Sequence, residues 1–207
     1  MNTPKVIHWF RQDLRLSDNP ALFEAAKNSS ILPIYILDDI NSKELAMGEA
    51  SRFWLHHSLN SLNKSLDQNL SIYSGDPITV ILDIIDRLDI KEIFWNRCYE
   101  PWRIKRDTNI KKKLELKGIK VNTLNGSLLW EPWTIKKGDG TPYKVFTPYF
   151  RKGCLLSEEP RKPISPPMNL DLFYDNNSLE DINALSLLPS TKWDIKMKSF
   201  WNIGELG

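Results

Sequence analysis

The stretch Val6-Ile7-His8-Trp9-Phe10-Arg11-Gln12-Asp13-Leu14-Arg15 changes abruptly from apolar to charged residues. Its first half, Val6 to Phe10, has the length and apolar character of a buried strand. Arg11 to Ser17 then predicts the loop that leaves the carboxyl end of this strand. In open α/β sheets, ligands bind outside that end of the strands. The loop either contributes to a ligand site or is held by ion pairs among Arg11, Asp13 and Arg15.

The next residues alternate between helix and strand signals. Asn19 and Asp76 are predicted helix caps, because each precedes a proline that suits a first helical turn. The further predicted strands are Ser30–Leu37, Leu70–Ser74, Glu92–Trp95 and Val121–Leu124. The longer predicted helices are Gly48–Gln68, one opening at Gly75-Asp76-Pro77, and Trp102–Lys117. This alternation predicts an α/β fold, a doubly wound, Rossmann-like parallel sheet of five strands in the order 3-2-1-4-5.

The composition excludes several classes of protein. The chain has 207 residues and a formal charge of +2, too small to indicate nucleic-acid binding by bulk electrostatics. No apolar run approaches the roughly 20 residues of a membrane span. Cys98 and Cys154 lack metal-ligand spacing, and no secretory signal is visible, so we expect reduced thiols and a cytoplasmic location.

The pattern changes after Gly126. The segment Thr141–Arg151 is aromatic and interrupted by prolines, and Glu158–Pro167 reads as an extended linker. We therefore predict a domain over residues 1–156 and a linker with an irregular C-terminal extension over 157–207. Aromatic side chains between Tyr143 and Phe150 and around Phe200 are expected to form an exposed apolar surface, with self-association as a consequence.

Five ordered segments together resemble the DNA photolyase/cryptochrome family. They are His8 to Leu22, Gly48-Glu49-Ala50-Ser51-Arg52, Trp95-Asn96-Arg97-Cys98-Tyr99-Glu100-Pro101, Tyr143-Lys144-Val145-Phe146-Thr147-Pro148 and Trp201-Asn202-Ile203-Gly204-Glu205. The resemblance implies the N-terminal α/β domain of a deoxyribodipyrimidine photolyase, which holds an antenna chromophore: a folate, a deazaflavin or a flavin. It also implies that FAD is bound by a helical partner domain outside this chain, and that damaged DNA is contacted only by the complete protein.

The carboxyl ends of strands 1, 2 and 4 are expected to meet at the switch point of the sheet. Taken with the resemblance, this places the antenna chromophore between the loops that leave these strands. The predicted cofactor-binding residues are Arg11, Tyr35, Asp38, Asp39, Arg52, Asn96, Cys98 and Glu100. No catalytic or metal-binding residue is predicted. The alternative is that these charged groups pair among themselves as scaffold.

The pair Trp102-Arg103 departs from the resemblance. Some folate-binding members of the family have an Asn-Glu pair at the corresponding place. The departure argues against a folate pocket of that type and leaves a deazaflavin, a flavin, a different folate pose or an empty site. Two other functions stay open: the equivalent domain of a cryptochrome blue-light receptor, and a free-standing nucleotide-binding α/β domain.

Overall fold

The computed structural model describes residues 3–205 and 207. Its centre is a parallel sheet of five strands in the order β3-β2-β1-β4-β5. The strands are β1 (Lys5–Phe10), β2 (Ser30–Leu37), β3 (Ser71–Ser74), β4 (Glu92–Asn96) and β5 (Lys120–Leu124). The predicted fold class and strand order are therefore confirmed, including the adjacency of β1 and β4.

Four helices connect the strands. They are α1 (Pro20–Ala25), α2 (Glu49–Ser65), α3 (Pro77–Leu88) and α4 (Pro101–Leu116). A shorter helical segment, Lys43–Leu45, lies between β2 and α2. Further short helical segments come after β5, at Phe146–Pro148, Tyr149–Gly153, Cys154–Leu156, Ile182–Leu185, Lys192–Asp194 and Ile195–Phe200. Residues 158–167, the predicted linker, contain neither helix nor strand.

The local signals at the helix ends have different outcomes. The Asn19 side chain caps α1 by accepting the Leu22 N–H, as predicted. Asp76 occupies the N-cap position of α3, as predicted, but its carboxylate makes no capping hydrogen bond. The carboxylate oxygens accept hydrogen bonds from the side chains of Asn41 and Thr79 instead. These side-chain donors compete with the first backbone N–H groups of α3 for the carboxylate.

Successive side chains of β1 point to opposite faces of the sheet, and each face has its own apolar core. Val6 and Phe10 pack with α1 and α2 on one face, whereas Ile7 and Trp9 pack with α3 and α4 on the other. Both faces are thus covered, which explains why the inner strands read as nearly continuous apolar runs.

The C-terminal extension completes one side of the sheet. The Ile31 N–H donates to Asp171 O, and the Phe173 N–H donates to Ile31 O. Further along, the Leu179 N–H donates to Ile72 O at 2.8 Å. The extension therefore packs on the sheet beside β2 and β3, while the division of the chain at 156/157 stays a prediction.

A buried carboxylate fastens this extension. Asp175 Oδ2 accepts from Tyr73 Oη at 2.6 Å and from Arg87 Nη2 at 2.7 Å. Burial opposes ionisation of Asp175, but the bonds from Arg87 and Tyr73 outweigh it and lower the pKa of the carboxyl. Asp175 is therefore ionised and bonded at neutral pH.

The predicted apolar surface is exposed. Val145, Phe146 and Phe150 are well exposed, and the Phe146 and Phe150 rings stack with centroids 5.8 Å apart. Phe200 and Trp201 are exposed as well. Self-association through these side chains stays a prediction.

Asp175→Ala should destabilise the fold by about 2 kcal/mol at neutral pH, because it leaves Arg87 and Tyr73 without their buried acceptor. Asp83→Ala is the matched control: Asp83 also accepts from Arg87, but its side chain is 61% exposed, and its loss should cost less than about 0.5 kcal/mol. Urea unfolding measures both changes. Because the folded pKa of Asp175 is depressed, its contribution should be present above about pH 4 and disappear as the pH falls further. Equal losses for the two variants would show that the buried acceptor has no special role.

Candidate functional site

A cavity of about 610 Å³ opens at the carboxyl ends of β1 and β2. Its aromatic lining is Trp9, Tyr35, Trp54 and Trp102. Its charged lining is Arg11, Arg15, Asp38, Arg103, Arg106 and Glu205. The site thus combines flat aromatic surfaces with several guanidinium groups, at the end of the sheet where the topology predicts a ligand.

The loop after β1 is held by a buried polar cluster centred on Asn96. Asn96 Nδ2 donates to Asp13 Oδ2 at 2.6 Å and to Asn19 Oδ1 at 2.7 Å, and Asn96 Oδ1 accepts from the Ala21 N–H at 3.2 Å. A Cβ at Gly126 would lie 2.5 Å from Asn96 Cγ, so only glycine fits beside this amide. The end of β4 therefore fixes the loop and the start of α1.

The ion-pair cluster considered for Arg11, Asp13 and Arg15 does not form among the described residues. The Arg11 guanidinium pairs with Asp107 of α4, and Arg15 Nη2 donates to Gly126 O at 2.6 Å. Asp13 accepts the Arg11 backbone N–H and the Asn96 amide instead. The loop is thus held by hydrogen bonds to neighbouring elements.

Arg106 neutralises the carboxylates at the floor of the cavity. Its Nη1 lies 2.8 Å from Asp38 Oδ2, and its Nη2 lies 2.8 Å from Asp107 Oδ1. The Arg106 guanidinium also lies over the rings of Trp9 and Trp102, 5.2 and 5.1 Å from their centroids. Because these carboxylates are already paired, they add little free negative charge to the cavity.

Some donors at the cavity have no partner in the part of the chain that the structure describes. Arg11 Nε and Nη2 and Trp9 Nε1 are buried without a hydrogen bond. The Arg11 guanidinium lies 5.0 Å from the Trp9 centroid, and Arg103 lies 4.9 Å from the Trp102 centroid. Unpaired buried donors are costly, and the faces of Trp9 and Trp95 against the Arg11 guanidinium offset part of that cost.

The ionisable groups near the cavity are unsuited to acid–base or nucleophilic chemistry. Burial raises the pKa of the Tyr35 phenol and of the Cys98 thiol, so both stay neutral. Burial lowers the pKa of His8 to about 4, with Asp13 opposing the shift. Among the described residues, no group of three or more His, Cys, Asp or Glu side chains could hold a metal ion.

The structure places some of the predicted site residues in the lining of the cavity and others outside it. Arg11, Tyr35 and Asp38 line the cavity. Arg52 Nη2 and Asp39 Oδ2 form an ion pair at 2.6 Å beside the cavity.

The other predicted residues, Asn96, Cys98 and Glu100, do not line the cavity. Glu100 accepts from Gln12 Nε2 at 2.8 Å, and Gln12 is the residue that lines the cavity. Cys98 Sγ lies 3.7 Å from Arg103 Nη1. Asn96 belongs to the buried polar cluster. The ligand role of these residues stays a prediction, whereas the structure shows them as supports for lining residues.

Sequence reasoning missed several lining residues, among them Trp9, Trp54, Trp102, Arg103, Arg106 and Glu205. Trp102 and Arg106 are four residues apart on α4 and share a face, so the unusual Trp102-Arg103 pair was a usable signal. Glu205 reaches the site from the far end of the chain, where it accepts the backbone N–H groups of Leu16 and Ser17, each at 2.7 Å. No local signal identifies such a long-range contact.

Comparisons with known proteins agree on one family. The DNA photolyase family profile matches residues 6–167. A deoxyribodipyrimidine photo-lyase of Agrobacterium fabrum is 36% identical over 212 residues, covering 100% of this chain and 43% of the relative. Cryptochrome-2 of Arabidopsis thaliana is 38% identical, covering 80% of this chain and 28% of the relative.

Solved structures show the same likeness. A bacterial class III photolyase from Agrobacterium tumefaciens superposes with a TM-score of 0.88 at 35% identity, covering 100% of this chain and 43% of that one. An archaeal photolyase from Sulfolobus tokodaii, solved with two FAD molecules, has the same fold with a TM-score of 0.73 at 22% identity.

The fold and cavity define a Rossmann-like domain that presents an aromatic, arginine-rich cavity at the carboxyl ends of its strands. This chain belongs to the DNA photolyase family, and it corresponds to the N-terminal part of its photolyase and cryptochrome relatives. The N-terminal domains of this family bind antenna chromophores. The chain spans less than half the length of these relatives. In the part that the structure describes, no helix has the length and apolar character to cross a membrane.

Asn96→Ala should loosen the loop after β1. It removes three buried side-chain hydrogen bonds, which predicts a loss of roughly 2–4 kcal/mol in unfolding free energy. Amide hydrogen exchange should accelerate over residues 11–22 while β2 and β3 stay protected. Asn122→Ala is the control, because Asn122 makes a single side-chain bond to Glu92 at the sheet edge. If both variants exchange like the unchanged protein in the loop, Asn96 does not organise the site.

Proposed function

We propose that this chain is the light-harvesting domain of a deoxyribodipyrimidine photolyase, and that the cavity holds its antenna chromophore. The observation that carries the proposal is the combination of tryptophan surfaces with four guanidinium groups in one cavity. A chromophore that passes on excitation energy needs a fixed ring and a held tail, and no catalytic side chain.

The residues present fit such a ligand. Cofactor sites commonly measure roughly 300–1,000 Å³, and this cavity, at about 610 Å³, lies within that range. Trp54 and Trp102 offer flat faces for a conjugated ring, whereas Trp9 is buried beneath the Arg11 and Arg106 guanidiniums. Arg103, a lining residue whose side chain is 19% exposed, supplies accessible N–H groups. A planar, polar-edged molecule would satisfy both features.

The charge balance favours a ligand with an anionic group. The cavity is lined by four guanidinium groups and two carboxylates. Asp38 is paired with Arg106, and Glu205 is bonded to backbone N–H groups. Arg103 keeps capacity to bind, because Glu100 is 3.8 Å away and only weakly paired with it. A carboxylate or phosphate tail would bind Arg103 and Arg11.

Each side chain then has a physical task. The tryptophans orient the ring and exclude water, the neutral Tyr35 phenol can donate a hydrogen bond, and the arginines hold the tail. The bound chromophore would supply light absorption and transfer of the excitation. A folate, a deazaflavin and a flavin all meet these requirements, so the class of chromophore is left to the experiment below.

The activity of a whole photolyase is part of the same proposal. Light-driven repair of pyrimidine dimers would require a helical FAD domain, through which damaged DNA would also bind. The exposed side chains of Phe146, Phe150 and Phe200 are suited to contact such a domain. The equivalent domain of a cryptochrome is the second candidate, because the identity to cryptochrome-2 of Arabidopsis thaliana, 38%, matches that to the photolyase, 36%.

Protein purified under native conditions should carry a pigment with absorption beyond the protein band, and mass analysis of the released ligand should give a folate, a deazaflavin or a flavin. Arg103→Ala should weaken binding of that pigment about tenfold, since it removes a charged donor to the tail. Lys111→Ala is the control: Lys111 lies on the same helix, outside the cavity. The affinity of the Lys111→Ala variant for the pigment should match that of the unchanged chain. Failure of all three pigment classes to bind at high micromolar concentration would refute the proposal.

A further inference from the structure

A second cavity lies beside α2, next to the proposed chromophore cavity: the Trp54 ring of the first and the Trp201 ring of the second have centroids 5.8 Å apart. It is an open cleft of about 500 Å³ between α2 and the segment 198–203. From α2 it is lined by His56, His57, Asn60, Ser61 and Lys64. From the C-terminal segment it is lined by Lys198, Trp201, Asn202 and Ile203. None of these side chains is a carboxylate.

The cationic groups of this cavity are unpaired. Within the described residues, neither Lys64 nor Lys198 takes part in an ion pair. Two lysines on facing walls without a counter-ion repel each other, and the energy of that arrangement falls when an anion enters.

The adjacent histidines are also without partners. The rings of His56 and His57 lie perpendicular with centroids 5.1 Å apart. His56 Nδ1 and His57 Nε2 are buried without a hydrogen bond in the part of the chain that the structure describes. The other ring nitrogens, His56 Nε2 and His57 Nδ1, are not enclosed and make no hydrogen bond among the described residues, so they are the atoms through which the two imidazoles reach a ligand in the cavity.

We propose that this cavity binds a phosphate group, free or as a monoester, through Lys64 and Lys198, with His56 and His57 completing the site. A tetrahedral oxyanion accepts hydrogen bonds from ammonium and imidazole groups alike. The volume exceeds that of one such ion, and the Trp201 and Ile203 side chains provide an apolar wall for an attached organic group. This inference does not depend on the chromophore proposal.

Ligand binding at this site should be linked to proton uptake. Burial lowers the pKa of both histidines, and Lys198 lowers both further; Asp181 opposes the shift at His56, and Asp194 at His57. His57 also lowers the pKa of its neighbour His56. A bound dianion offsets the charge of Lys198 and raises both values. Binding should therefore tighten as the pH falls.

Sulfate is the appropriate first probe, because it stays dianionic while histidine titrates. Histidine ring NMR signals of the full chain are followed during sulfate addition at constant ionic strength, at about pH 6 and about pH 8. The chain has three histidines, and the fully buried His8 serves as internal reference. Sulfate should shift the His56 and His57 signals alone and bind at least about threefold more tightly at the lower pH.

Lys198→Met should weaken sulfate binding by roughly three- to tenfold. Lys111→Met is the control: it removes one exposed lysine of α4 and should leave sulfate binding unchanged. Inorganic phosphate and phenyl phosphate, compared at about pH 8, then separate the two sources: tighter binding of phenyl phosphate assigns the site to an ester, and equal binding assigns it to the free ion. Equal effects of the two lysine substitutions, or histidine shifts that chloride reproduces, would overturn the proposal.

Discussion

The hydrogen bonds of Asn96 are the constraint on which the site depends. One buried amide joins the end of β4 to the loop after β1 and to the cap of α1. Without it, Asp13 would keep only the Arg11 backbone N–H. The two central strands of the parallel sheet thereby present a loop of fixed shape, and Arg11 is directed towards α4 and the cavity.

The electrostatics of the cavity follow from this placement. Arg11 and Arg106 share Asp107, and Arg106 also binds Asp38. These pairs supply the scaffold that the alternative interpretation of the charges required. They do not consume every donor, however, since Arg11 Nε and Nη2 stay unpaired among the described residues. Scaffold and proposed ligand site are therefore compatible in one cluster: the carboxylates hold Arg11 and Arg106, and the weakly paired Arg103 stays available to a ligand.

Much of the fold could be predicted from the sequence because it depends on local patterns. The apolar runs at Val6–Phe10 and Ser30–Leu37 mark strands with both faces buried, and their alternation with helices determines the parallel order. Fewer of the residues that line the cavity could be predicted from the sequence. Strand ends identified Arg11, Tyr35 and Asp38, but the sequence does not tell which polar residue after a strand supports the wall and which one forms it. Asn96 and Glu100 illustrate the difference. Trp54 and Glu205 come from a helix and a distant segment, whose placement depends on tertiary packing.

The central claim is that the tryptophan- and arginine-lined cavity is the chromophore site, and a crystal structure of the chain with its co-purified pigment, or after incubation with a folate, a flavin and a deazaflavin in turn, tests it most directly. The account predicts ring density against Trp54 or Trp102, with the anionic tail within hydrogen-bond distance of Arg11 or Arg103. Ring density elsewhere, such as against the exposed Phe146 and Phe150 or in the cavity beside His56, with the tryptophan-lined cavity free of ligand, would contradict it.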